Sequence, residues 1–91
     1  MKIYKSTRKD KKYMVEYKNK KIHFGAKGYS DYTIHKDPKR KASYIARHKP
    51  TENWNDPSSA GFWSRWILWN EPISIEANMK LIHKQFPLLF K

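Results

Sequence analysis

The chain has 91 residues, enough for a single domain, with a net charge of +12, a pI near 10.0 and no cysteine. Disulfide frameworks and thiolate zinc sites are therefore excluded, and a core this small must lean on its aromatic residues, which make up 15% of the chain. The charge is not spread evenly: residues 1–50 hold sixteen Lys and Arg against four Asp and Glu, while residues 51–91 hold four against four and carry all four tryptophans. We expect one compact basic domain over 1–91, with a basic half at 1–50 and an aromatic helical half at 51–91.

No apolar run reaches the roughly 20 residues of a membrane span. The basic N-terminus MKIYKSTRKDKK has no apolar stretch of the kind a secretion signal carries. These features predict a soluble, intracellular protein.

In chain order, a strand at 2–6 is expected to join a hairpin. KKYMVEYK places Tyr13, Val15 and Tyr17 on one face and Met14 and Glu16 on the other. This period of two is that of a strand. KKIHFG continues it with Ile22 and Phe24 opposite His23. The hairpin is predicted at 12–18 and 20–25, turning at Asn19-Lys20, because Asn tolerates positive φ. Residues 25–36 read as a glycine-punctuated loop in which Tyr32 and Ile34 form a short edge strand.

Asp37-Pro38 is a helix start, with Asp as N-cap and Pro at the first helical position. This helix should run to about His48 and stop before Pro50. Its spacing puts Arg40, Ser43 and Arg47 on one face and Lys41, Tyr44, Ile45 and His48 on another. Asp56-Pro57 predicts a second helix over 58–69, with Phe62, Trp66 and Trp69 at helical spacing. Ser74 caps a third, whose stripe is Ile75, Met79, Ile82 and Phe86. Pro87 closes it, and LLFK follows as an apolar tail. The fold class is therefore α+β: an N-terminal antiparallel hairpin or three-stranded meander followed by about three short helices.

The basic residues are the strongest functional signal, because +12 on 91 residues exceeds what solubility calls for. Lys9, Lys11 and Lys12 form one group. Candidate contacts to a polyanion are Lys18, Lys20 and Lys21 at the hairpin turn, Lys27 and Tyr29 in the loop, and Lys36, Lys39, Arg40, Lys41, Tyr44, Arg47 and Lys49 along the first helix. Cations interleaved with rings neutralise phosphates and stack on bases. The partner could equally be DNA, RNA or the acidic face of another protein. Trp54, in the loop ENWND, is the tryptophan expected to be most accessible and is the candidate anchor for a protein partner. The tail residues Leu88, Leu89 and Phe90 either dock on a partner or cover the chain's own core.

Catalysis has little support. The four histidines are widely spaced and lack companion cysteines, so no metal site and no cofactor is expected. A nuclease centre needs clustered carboxylates, and the best constellation on offer is Asp31 with His35 and His48. No glycine-rich phosphate loop or nucleophile elbow occurs, and FGAKG lacks the strand-to-helix context of such a loop.

The strings FGAKGYSDYT, HKD, YIARH and AGFWSRWILWN resemble a family of small basic, largely uncharacterised proteins of nucleocytoplasmic large DNA viruses, the chlorella-virus and mimivirus-like groups. Short phage proteins with an FG, an RH and a tryptophan-rich helix look similar in outline. The resemblance covers roughly residues 21–72. It implies a virion protein, either a minor capsid component or a genome-associated one; the alternative is a nucleic-acid-binding protein acting in viral replication, packaging or transcription. Its location would be the particle and, during infection, the host cytoplasm or nucleus. The phage-like proteins carry Cys near these segments and this chain has none, so a metal role there is not implied.

Overall fold

The computed structural model describes residues 2–90, with side chains described from Lys2 through Leu88. It is an α+β arrangement. A three-stranded antiparallel sheet, β1 (Tyr4–Lys5), β2 (Lys11–Tyr17) and β3 (Lys20–Ala26), has the order β1-β2-β3. Four short helices follow: α1 (Tyr32–His35), α2 (Pro38–His48), α3 (Ala60–Trp63) and α4 (Ile75–Gln85).

The hairpin register pairs Tyr13 with Phe24 and Val15 with Ile22, so the alternation expected from the sequence is the one the sheet uses. Val15, Ile22 and Phe24 are buried, while Glu16 and Lys21 pair on the open face. The turn is one residue earlier than expected. Lys18 and Asn19, both at positive φ, are its two central residues, the conformation that matches the right-handed twist of a two-residue hairpin. β1 is shorter than the expected 2–6 strand, with only Tyr4 and Lys5 paired to Met14 and Tyr13.

Gly25 sits at φ +79° in β3, where a Cβ would lie 2.8 Å from Leu68 Cδ1. That absence of a side chain lets the segment around Leu68 press onto the end of the sheet.

Tyr32 and Ile34 do not form an edge strand. They belong to α1, a single turn whose N-cap is Asp31: its carboxylate accepts from Thr33 N at 3.0 Å. An N-cap directly before a turn closed by three backbone hydrogen bonds outweighs the alternation of Tyr and Ile. α2 begins and ends as expected, with Asp37 accepting from Lys39 N at 2.9 Å.

Asp56-Pro57 does not start the next helix. Asp56 folds back on Ser58 N and Ser58 Oγ, an Asx-turn that competes with helix initiation. Ser59 caps instead, accepting from Phe62 N at 3.3 Å, and α3 starts at Ala60. Gly61 fits there because a Cβ would meet the Glu52 carboxylate at 2.9 Å.

α3 then widens into a π-turn over Ser64–Leu68, closed by Trp69 N donating to Ser64 O at 3.2 Å. The stripe expected at Phe62, Trp66 and Trp69 is therefore broken. Phe62, Trp63, Ile67 and Leu68 are buried against the sheet and α4, and Trp66 and Trp69 are half-buried at the side.

Carbonyls at and after the wide turn are taken by side chains. Asn78 Nδ2 donates to Ile67 O (2.8 Å) and Glu71 O (3.1 Å), Arg65 Nη1 donates to Trp69 O (2.9 Å), and Lys41 Nζ donates to Asn70 O. A buried carbonyl left without such a partner would cost about 1–3 kcal/mol. Ser74 caps α4 by accepting from Ala77 N, and Met79 and Ile82 of the expected stripe are buried, with Ile75 and Phe86 packed beside them. No helix among the described residues is long and apolar enough to cross a membrane. The tail turns as a 3₁₀ segment (Pro87–Phe90) with Leu88 exposed; the side chains of Leu89 and Phe90, named above for docking, lie outside the described residues.

Candidate nucleic-acid interface

A cleft of about 840 Å³ opens between the Lys11/Ala26 end of the hairpin and the exposed side of α2. One wall carries Lys11 and Lys12 from β2, with Tyr29 and Ser30 from the loop beyond β3. The other carries Lys39, Arg40, Ser43 and Arg47 from α2. The floor is made by Gly61, Ser64, Leu68 and Trp69, with Tyr44 beneath α2. The Asp37-Pro38 start sets the phase of α2, so that Arg40, Ser43 and Arg47, spaced three and four apart, point one way together.

Two carboxylates line the cleft, Asp31 and Glu52, and both are engaged. Asp31 is only 2% exposed. Besides capping α1 it accepts from Lys12 Nζ at 2.8 Å and from Thr33 Oγ1. Glu52 accepts from Trp54 Nε1 at 2.9 Å and lies 3.5 Å from His48 Nδ1. Lys11, Lys39, Arg40 and Arg47 enter no ion pair with a carboxylate among the described residues, so their charge is open to the cleft.

The sequence-expected contacts are not all brought together. Lys39, Arg40, Arg47 and Tyr29 line the cleft. Lys27, Lys36 and Lys49 are exposed and do not line it. Lys18, Lys20 and Lys21 are exposed at the far tip of the hairpin, about 20 Å from Lys11 at roughly 3.3 Å per residue.

Two candidates are corrected. Lys41 is turned inward: its ammonium donates to Asn70 O and sits 5.0 Å from the centre of the Tyr32 ring, and burial, with the nearby Arg65 charge, pulls its pKa down. It ties α2 to the chain leaving the π-turn. Tyr44 is 6% exposed, stacked on Trp69 (4.4 Å, 5°) and His48 (4.3 Å, 28°), with its hydroxyl 3.2 Å from Ser64 Oγ. It has no free face for a base.

Trp54, the expected anchor, is half-buried, as are Trp66 and Trp69. Its indole donates to Glu52, and Arg65 lies over it at 5.3 Å and over Trp66 at 4.4 Å. Arg65 thus bridges Trp54 and Trp66, while Trp63 is core.

The Asp31, His35 and His48 constellation is not assembled as a reacting centre. Asp31 is occupied as above, and His35 Nδ1 accepts from Asp37 N at 3.0 Å while its ring packs 5.3 Å from Trp69. His48 stacks on Tyr44. Among the described residues no three His, Asp or Glu side chains are grouped to hold a metal.

Lys11 was legible only as part of a charge run. Lys11 and Lys12 both line the cleft, but the Lys12 ammonium is taken by Asp31 at 2.8 Å and that of Lys11 has no carboxylate partner among the described residues.

A model of a family of unknown function, DUF5754, matches residues 1–48. The chain belongs to this family. The DUF5754 match starts at residue 1, takes in the whole sheet and α1, and ends on the last residue of α2. It therefore contains both cationic walls, while the part of the floor made by 60–69 lies beyond it. No curated protein and no solved structure matches the chain.

The floor carries a titration signature. Burial pushes the Tyr44 phenol up to about 12. A phenol raised in the folded state favours folding below the unfolded value of about 10, and that contribution is lost as pH rises through the folded value. Wild-type stability should therefore fall between about pH 10 and 12, by up to about 3 kcal/mol from this group. Lys41, lowered by burial, acts in the opposite sense. Denaturant unfolding of wild type beside Tyr44→Phe isolates the phenol: the variant should lack its share of the alkaline loss.

Proposed function

We propose that the protein is a non-enzymatic docking protein that holds nucleic acid by its phosphates in the cleft between β2 and α2. One observation carries this reading. The cleft has cations on two facing walls, and both of its carboxylates are already committed to internal partners. Anionic oxygens entering it meet unpaired Lys11, Lys39, Arg40 and Arg47, with the hydroxyls of Ser30, Ser43 and Ser64 as further donors. Ammonium and guanidinium bonds to phosphate are roughly twice as strong as neutral ones. Most of the contact is to backbone, so affinity outweighs sequence reading.

A concave site suits a linear polyanion better than the flat acidic face of a folded protein. The viral resemblance supplies the setting: a virus-encoded protein that meets nucleic acid in the particle or during replication, packaging or transcription. An acidic capsid surface is the other partner that setting offers, and binding to capsid protein without binding to nucleic acid would favour it.

The test is a salt titration of oligonucleotide binding. If three or four phosphates are neutralised, log K should fall against log salt with a slope of about −2 to −4. A flat response, or no binding to any nucleic acid at low salt, overturns the proposal.

A further inference from the structure

The cleft has one aromatic ring that is open. Tyr29 is 73% exposed at its mouth. The other rings lining it are closed: Phe24 and Tyr44 are buried, and half-buried Trp69 is flanked by Tyr44 and His35. Tyr29 enters none of the ring contacts among the described residues. An exposed ring of this size gains nothing from the fold in its present position. Its backbone is nevertheless held, by Tyr29 N donating to Ala26 O at 3.3 Å just past the end of β3. Tyr29 shares the lining of the cleft with Lys11, Arg40 and Arg47.

From this we infer that the ligand is single-stranded nucleic acid, with one unpaired base stacked on Tyr29 while the adjoining phosphates lie between Lys11 and the α2 arginines. The inference rests on the nucleic-acid reading above and narrows it. A duplex keeps its base faces inside the stack and offers phosphates on a convex surface. A concave site of about 840 Å³ does not match that convex surface. A single strand bends into a cleft and turns a base face outward. Every base has such a face, so the stacking tolerates any sequence.

Labelled oligo-dT and a mixed-sequence duplex of the same length, titrated by fluorescence anisotropy, test this with two kinds of variant. Wild type should prefer the single strand. Tyr29→Ala should weaken single-strand binding by about fivefold to a hundredfold, clearly more than it weakens duplex binding, with the melting temperature unchanged. Tyr29→Phe should keep the wild-type affinity, because the ring and not the hydroxyl carries the stacking. Arg40→Glu/Arg47→Glu should weaken both ligands. If the arginine variant loses binding while Tyr29→Ala binds like wild type, or if wild type prefers the duplex, the single-strand inference fails and the phosphate reading stands. If the arginine variant binds both ligands like wild type, or wild type binds neither, both readings fail.

Discussion

Arg40→Glu/Arg47→Glu should bind nucleic acid at low salt at least about a hundredfold more weakly than wild type. Each arginine can give charge-assisted hydrogen bonds worth about 1.5–3 kcal/mol, and about 1.4 kcal/mol is a factor of ten. Reversal also places two carboxylates where phosphates would sit. The salt slope should fall by about two, one for each lost phosphate contact. The fold should survive, because both side chains are exposed on α2; the one internal bond involved is Arg47 Nε to Ser43 O, a long 3.4 Å. Lys18→Glu/Lys20→Glu, at the remote hairpin tip, is the control and should cost much less. Equal losses from the two pairs would mean that overall charge matters and the cleft does not.

Asp31→Ala should have the largest effect on stability. The carboxylate is buried, and its removal orphans the Lys12 ammonium, whose side chain is 14% exposed, together with the Thr33 N–H and hydroxyl. Breaking a buried pair from one side costs about 3–5 kcal/mol, a large part of the roughly 5–15 kcal/mol that holds a domain together. The melting temperature should drop by at least about 12 °C. Lys12→Met/Asp31→Ala should recover part of this, because no charge is left stranded. A thermal melt of Asp31→Ala that matches wild type would show that the pair does not hold the loop to the sheet. The same substitution separates a structural role from a catalytic one, since a catalytic carboxylate would be lost with the fold intact.

Much of the fold is legible in local pattern. The alternation of Tyr13, Val15 and Tyr17 against Ile22 and Phe24 defines the hairpin, and the Asp37-Pro38 and Ser74 starts place α2 and α4. Each of these signals acts within one turn or one strand pair. The misreadings share the opposite property. Asp31 and Asp56 are both short polar residues ahead of apolar ones. One caps a helix turn and the other an Asx-turn, and the difference lies in partners such as Lys12, which is 19 positions away. Asn78, spaced with Ile75 and Ile82 on the inner face of α4, is a polar residue that local pattern would not bury; its amide donates to the carbonyls of Ile67 and Glu71, 11 and 7 positions away.

The site was half legible for the same reason. Arg40 and Arg47 share a face by spacing alone. Lys41 and Tyr44 sit on the neighbouring face, which the tryptophan segment covers. No local rule distinguishes a lysine facing solvent from one meeting the carbonyl of Asn70. Charge counts in the sequence therefore overstate the field: Lys12 and Lys41 belong to the interior bonding of the molecule.

The π-turn at Ser64–Leu68 works as a phase shifter. One residue advances a helix by about 100°; with regular α geometry, the segment would have turned Trp66 toward the sheet and Leu68 away from it. The extra residue absorbed in the wide turn lets Leu68 seat against Gly25 and rotates Trp69 out beneath α2. The depth and the floor of the cleft thus hang on the winding of a single turn.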